Sequence, residues 1–148
     1  MEPLLRTLLG GHEGAVALCL DVFHWANDYD HLVDGDASEA DRAETLHRAM
    51  AHLIAAHNNP FYIAHREALH ATLERSVSTW RVSNSLQRMN DPLAHTLAHV
   101  LRWVPIDFFL HCARLVGGEQ RVQDMGPWFW LEMTKDHPFE EFARECGG

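Results

Sequence analysis

The sequence predicts an all-α protein, a bundle of four main helices followed by short helices at the C-terminal end. Three observations predict it. Apolar residues recur at helical spacing, while β-branched residues are sparse and no run alternates with period two. Cap and stop signals cut the chain into helix-sized pieces. Apolar residues make up 47% of the 148, with five Trp, which supplies a core and excludes a disordered chain.

Each element follows from its residues. Over Glu13 to Asp34, Ala15, Leu18, Cys19, Val22, Ala26, Tyr29 and Val33 form one apolar stripe, and Asp34-Gly35-Asp36 ends the helix. Ser38 opens the next helix, with Asp41 three residues on as a variant of the capping box. That helix is expected to bury Ala43, Leu46, Met50 and Ile54 and to stop at Asn58-Asn59-Pro60. A long helix is predicted from Phe61 to Met89, with Leu69, Leu73, Val77 and Trp80 on one face. Asp91 as N-cap and Pro92 at the first helical position start a central helix running to Val116. Pro105 is expected to kink it and Gly117-Gly118 to end it. Short helices are expected from Glu119 to Met125, after Gly126-Pro127, and from Pro138 to Glu145.

Composition narrows the function classes. Twelve Lys+Arg against 21 Asp+Glu give a net charge of −9, a poor match for nucleic-acid phosphates or anionic membranes. Met1-Glu2-Pro3 lacks the pattern of a signal peptide, and the longest apolar run, Trp103 to Leu110, contains Asp107, so no membrane span is expected. Cys19, Cys112 and Cys146 form no CxxC pair and read as reduced thiols of a cytoplasmic protein. There is no glycine-rich phosphate loop, no G-x-S-x-G elbow, no Glu-x-x-Glu pair and no His-Asp dipeptide.

The candidate chemistry lies in Asn27-Asp28-Tyr29-Asp30-His31-Leu32-Val33-Asp34-Gly35-Asp36. Acidic side chains gather at a helix C-terminus, where the dipole disfavours them, and Asp30 and Asp34 are four apart on one face. A divalent cation such as Mg²⁺ would relieve that repulsion, with a substrate phosphate completing its shell; a solvated acidic helix end is the plainer alternative. Asp107 stands alone in an apolar run and needs a partner if buried, Arg102 or His111 being the helix-local choices. Asn84 falls one turn beyond Trp80. The candidate site is therefore Asp30, Asp34 and Asp107 as metal ligands, with Asn84, Arg102 and His31 toward a phosphorylated ligand. Four acid-x-x-His pairs (Asp21/His24, Asp28/His31, Glu44/His47 and Glu67/His70) and the His95/His99 pair offer a transition-metal alternative.

Two resemblances add expectations. Asp30-His31-Leu32-Val33-Asp34-Gly35-Asp36, Asn59-Pro60-Phe61-Tyr62, Trp80 with Asn84, then Arg102, Asp107, Cys112 and Leu115-Val116-Gly117-Gly118 together resemble a family of small helical proteins of tailed bacteriophages and marine metagenomes. That family's first motif reads Asp-Asp-x-x-Asp, so His31 departs from it. The same motif is similar to the metal-binding motif of class I isoprenoid synthases. This likeness implies Asp30 and Asp34 as Mg²⁺ ligands, with His31 in place of the middle Asp.

Two functions follow as expectations: a Mg²⁺-dependent site for a phosphorylated small molecule, or a non-catalytic module that binds a host protein. A homodimer is also expected. Trp128, Phe129 and Trp130 point in successive directions about 100° apart on a helix, so at least one should face outward. The alternative is that Phe139 and Phe142 fold back and cover them.

Overall fold

A computed structural model describes residues 1–36 and 38–147 and contains no strand among them. The helices are α1 (Glu2–Leu8), α2 (Glu13–Asp34), α3 (Glu39–Asn58), α4 (Pro60–Ala64), α5 (Arg66–Gln87), α6 (Pro92–Leu101), α7 (Val104–Thr134) and α8 (Phe139–Gly147). They form two compact units, residues 1–67 and 68–148.

In the first unit α1 packs on α2, α2 runs against α3, and α4 rests on both. The core is Leu5, Leu8 and Leu9 with Ala15, Val16, Leu18 and Cys19, each at most 1% exposed. The sequence reading passed over α1 because seven residues are too few to show a period, although leucines at 4, 5, 8 and 9 mark its buried side. Arg6 ties α1 to the next helix through Glu13 Oε1 at 2.6 Å. The predicted ends of α2 and start of α3 are correct. Gly35 caps α2 at φ 74°, and the Ser38 side chain accepts from the Asp41 amide. Asn59 joins α3 to α4: its Oδ1 accepts from the Phe61 amide at 2.8 Å, and its Nδ2 donates to the Gly14 carbonyl at 3.0 Å.

The buried face of α3 is not the expected one. Leu46, Met50 and Ile54 are 52%, 48% and 56% exposed, and Ala43 is exposed too. The inner face is Thr45, Ala49 and Ala56. Its small side chains allow close approach to α2, and Arg48 and His52 must also reach that helix. Arg48 Nη2 donates to Asp28 Oδ1 at 2.8 Å, and His52 Nδ1 lies 2.9 Å from Asp21 Oδ1. Polar pairing and small-residue packing thus decide which side faces in, and the larger apolar residues are left outside.

The expected helix from Phe61 to Met89 is broken at His65 (φ −120°), whose amide is shared between the Phe61 and Tyr62 carbonyls. In the second unit the expected helix from Pro92 to Val116 is likewise two. α6 ends at Leu101, and Pro105 sits in the first turn of α7, where its missing N–H costs nothing, so it starts a helix instead of kinking one. Asp91 caps α6 as predicted, accepting from the Leu93 amide at 2.8 Å.

Gly118 (φ 77°, ψ −179°) interrupts α7 where the glycine pair predicts a stop. Phe109 and Phe129 meet edge to face at 6.1 Å between centroids, although a straight helix would hold residues twenty apart about 30 Å from each other. The arm 119–134 therefore folds back on the arm 104–117. That second arm runs unbroken through Gly126-Pro127, so the two short helices expected there are one. Ile106, Phe108, Phe109, Cys112, Ala113 and Phe129 are fully buried. None of Trp128, Phe129 and Trp130 is exposed; the outward residue is Leu131, at 70%.

Candidate functional site

Asp30, His31 and Asp34 belong to the last turns of α2 in the first unit; Asn84, Arg102 and Asp107 belong to the second. Asp30 is half-buried and Asp34 exposed. His31 Nδ1 is 3.9 Å from Asp36 Oδ2, both side chains mostly in solvent. A contact of that length between exposed groups contributes little.

Asp107 corrects the sequence reading. It is exposed, and its partner is neither Arg102 nor His111 but Arg75 of α5, whose Nη2 lies 2.7 Å from its Oδ2. The first turn of α7 carries it on the outer side while Ile106, Phe108 and Phe109 turn inward, so its carboxylate was never desolvated. Arg102 follows α6, with its guanidinium carbon 4.9 Å above the Phe142 ring. Asn84 is half-buried on α5, one position from Ser83, whose hydroxyl donates to the Ala98 carbonyl at 2.9 Å.

The histidines are distributed, not gathered. His95 Nε2 donates to the Met89 carbonyl at 2.6 Å and His99 Nε2 to the His137 carbonyl at 3.0 Å. Asp21 meets His52 rather than His24, while His24 stacks on His52 at 5.1 Å. Glu44, His47, Glu67 and His70 are all exposed. Among the described residues, no three His, Cys, Asp or Glu side chains come close enough together to hold a metal ion.

Among the described residues the interior holds one acid. Asp28 is 8% exposed and answered by Arg48. The carboxylate's hydrogen bond, and then its charge, raise the Arg48 pKa above its ordinary value. A second polar chain crosses from α5 to α7. His111 Nδ1 lies 2.6 Å from the Thr72 hydroxyl, which donates onward to the Ala68 carbonyl at 3.1 Å. Thr72 is 1% exposed, so the chain binds helices together and offers no accessible nucleophile.

What the sequence reading missed is on the surface. Besides the row on α3, α6 exposes Leu93, Leu97 and Val100, at 66%, 46% and 54%. Only Ala94 and Ala98 of that helix are buried. Large apolar residues at steps of three and four were available as a signal. The same spacing marks a core face, and the sequence alone does not say which side is covered. Among the described residues no helix is long and apolar enough to cross a membrane. No protein-family model, curated protein or solved structure matches the chain.

Proposed function

We propose that the protein is a non-catalytic protein–protein interaction module whose contact elements are the outer faces of α3 and α6. One observation carries this reading: two helices each expose a row of three large apolar side chains at helical spacing, Leu46, Met50 and Ile54 on one and Leu93, Leu97 and Val100 on the other. Single exposed apolar residues are ordinary, but rows of this kind mark surfaces that a partner covers. Covering the exposed half of three such side chains is worth about 2–4 kcal/mol, enough to anchor a helix-in-groove contact. Cys19, Cys112 and Cys146 are not joined in disulfides, which fits a reducing cytoplasm.

The test is recovery of a partner from a lysate by the wild-type chain, by Leu46→Glu/Met50→Glu and by Leu93→Glu/Leu97→Glu, with circular dichroism confirming that all three are folded. A partner held by the wild type and lost from at least one variant supports the reading. Equal recovery by all three, or nothing above background, sinks it.

A second reading rests on Asp30 and Asp34, one turn apart on α2: a Mg²⁺-assisted phosphate site. Calorimetric titration with Mg²⁺ decides it, and absence of heat from the wild type removes it.

A further inference from the structure

We propose that His12 is an acid-sensitive latch: its neutral ring caps α2 and holds the first turn of that helix against α4, and protonation opens the corner. The direction of one hydrogen bond carries this. The Ala15 amide donates to His12 Nδ1 at 3.2 Å, so that nitrogen keeps its lone pair and the neutral ring carries its proton on Nε2. Serine, threonine, asparagine and aspartate are the usual caps, and none of them loses its accepting oxygen between about pH 5 and 8. An imidazole does. Histidine changes charge in that range, and the charged ring has two donors and no acceptor. Its charge then also stands at the positive end of the α2 dipole. Acidification turns a contact that closes the helix into one that opposes it.

The cap is built into a joint. The His12 ring meets Phe61 of α4 edge-on, 5.1 Å between centroids, and Phe61 is buried. Asn59, the cap of α4, donates across to the Gly14 carbonyl at 3.0 Å, so the first turns of α2 and α4 are tied by a ring contact and a hydrogen bond. Two more imidazoles flank the same short helix. His65 lies 4.7 Å from Phe61, and His57, whose Nδ1 donates to the Leu53 carbonyl, lies 5.3 Å from Tyr62. The two buried rings of α4 are therefore touched by three histidines, one preceding α2, one from α3 and one at its own C-terminal end. No aspartate or glutamate occurs from Thr45 to Arg66, and exposed Arg66 follows His65, so the stretch holds no charge to offset theirs. Next to His12 itself stand Arg6 of α1 and Glu13 of α2, which hold each other at 2.6 Å. The Arg6 hydrogen bond and charge keep the Glu13 carboxyl below its ordinary 4.5, so this pair stays made while histidines charge. α1 keeps its place as the joint loosens.

The experiment is amide exchange by NMR on the full chain at about pH 7.5 and about pH 5, the two sides of the histidine range. Each rate is divided by the intrinsic rate of the free peptide at that pH. The wild type is compared with His12→Asn and His12→Ser, which cap without titrating, and with His12→Ala, which cannot cap; circular dichroism checks that all are folded. At the higher pH the wild-type Ala15 amide is expected to be protected as in the Asn and Ser variants. At the lower pH its protection is expected to fall about fivefold, the usual worth of a cap, to the level of the Ala variant. The Phe61 and Tyr62 amides, which donate to Asn59 Oδ1, are expected to lose protection with it, while the Asn and Ser variants keep theirs at both pH values. Three results overturn the latch: Ala15 protection that does not change with pH, a change that the Asn and Ser variants retain, or an Ala15 amide that opens while Phe61 and Tyr62 stay protected.

Discussion

At the scale of single residues, the most informative groups are those whose environment and chemistry disagree. Tyr62 is 2% exposed, and its hydroxyl has no hydrogen-bond partner among the described residues. A buried hydroxyl without a partner is a liability of about 1–3 kcal/mol. Tyr62→Phe is therefore expected to leave the melting temperature unchanged or raise it, measured by thermal denaturation; a clear fall would mean that the hydroxyl is satisfied. Asp28 presents the opposite case, since Arg48→Met removes the partner of a buried carboxylate. A loss of about 1–3 kcal/mol in urea denaturation is expected, largely recovered by adding Asp28→Asn. Glu13 supplies a pH dependence. The hydrogen bond from Arg6, and then the guanidinium charge, hold its pKa below the ordinary 4.5. A depressed carboxyl contributes its stabilisation above the ordinary value and loses it as pH falls through the folded one. The hold of α1 on α2 should thus be complete at neutral pH and weaken as pH drops below 4.5, seen as faster amide exchange at Leu8 and Leu9. Glu13→Gln should exchange at the faster rate already at neutral pH.

At the scale of elements, two of the glycines with positive φ, Gly35 and Gly118, are of different kinds. Gly35 caps α2 in the left-handed helical region, which Asn tolerates. Gly118, at φ 77° and ψ −179°, lies where only glycine is comfortable. Gly118→Asn should cost about 1–3 kcal/mol and Gly35→Asn a few tenths, compared by urea midpoints. These positions also show what the sequence makes legible. Caps and stops are local chemistry, so Asp34-Gly35, Ser38, Asn59, Asp91-Pro92 and Gly117-Gly118 could all be read directly. Which face of a helix turns inward depends on partners far along the chain. Leu46, Met50 and Ile54 read as core because nothing near them in sequence reveals that Arg48 and His52 answer two aspartates on α2. Asp107 failed for the same reason, since its partner Arg75 lies 32 residues away. The candidate acids Asp30 and Asp34 were visible as a cluster, and Asp107 came with them only through the assumption that it was buried.

At the scale of the whole molecule, the cysteines report on the two units separately. Cys19 belongs to residues 1–67 and Cys112 to residues 68–148, and both are fully buried. Cys146 is half-buried; burial first, and then the charge of Glu145, push its thiol above its ordinary 9.0. In native buffer at pH 8 an alkylating reagent should modify Cys146 alone, more slowly than a free thiol, because the thiolate is the reacting form. Cys19 and Cys112 should react only as denaturant opens their own units, resolved by peptide mass spectrometry. Prompt native labelling of either would contradict the burial described here.

Two polar pairs that join α2 to α3 are spaced unequally on their helices. Asp21 and Asp28 are seven residues apart, whereas their partners His52 and Arg48 are four apart. Two scales with different divisions coincide at a single setting, as on a vernier. Sliding α3 by a turn in either direction breaks the double match, setting His52 or Glu44 where Arg48 now meets Asp28. The hairpin is thereby locked against register slip by side-chain arithmetic, a discrimination that the small residues lining the seam could not supply.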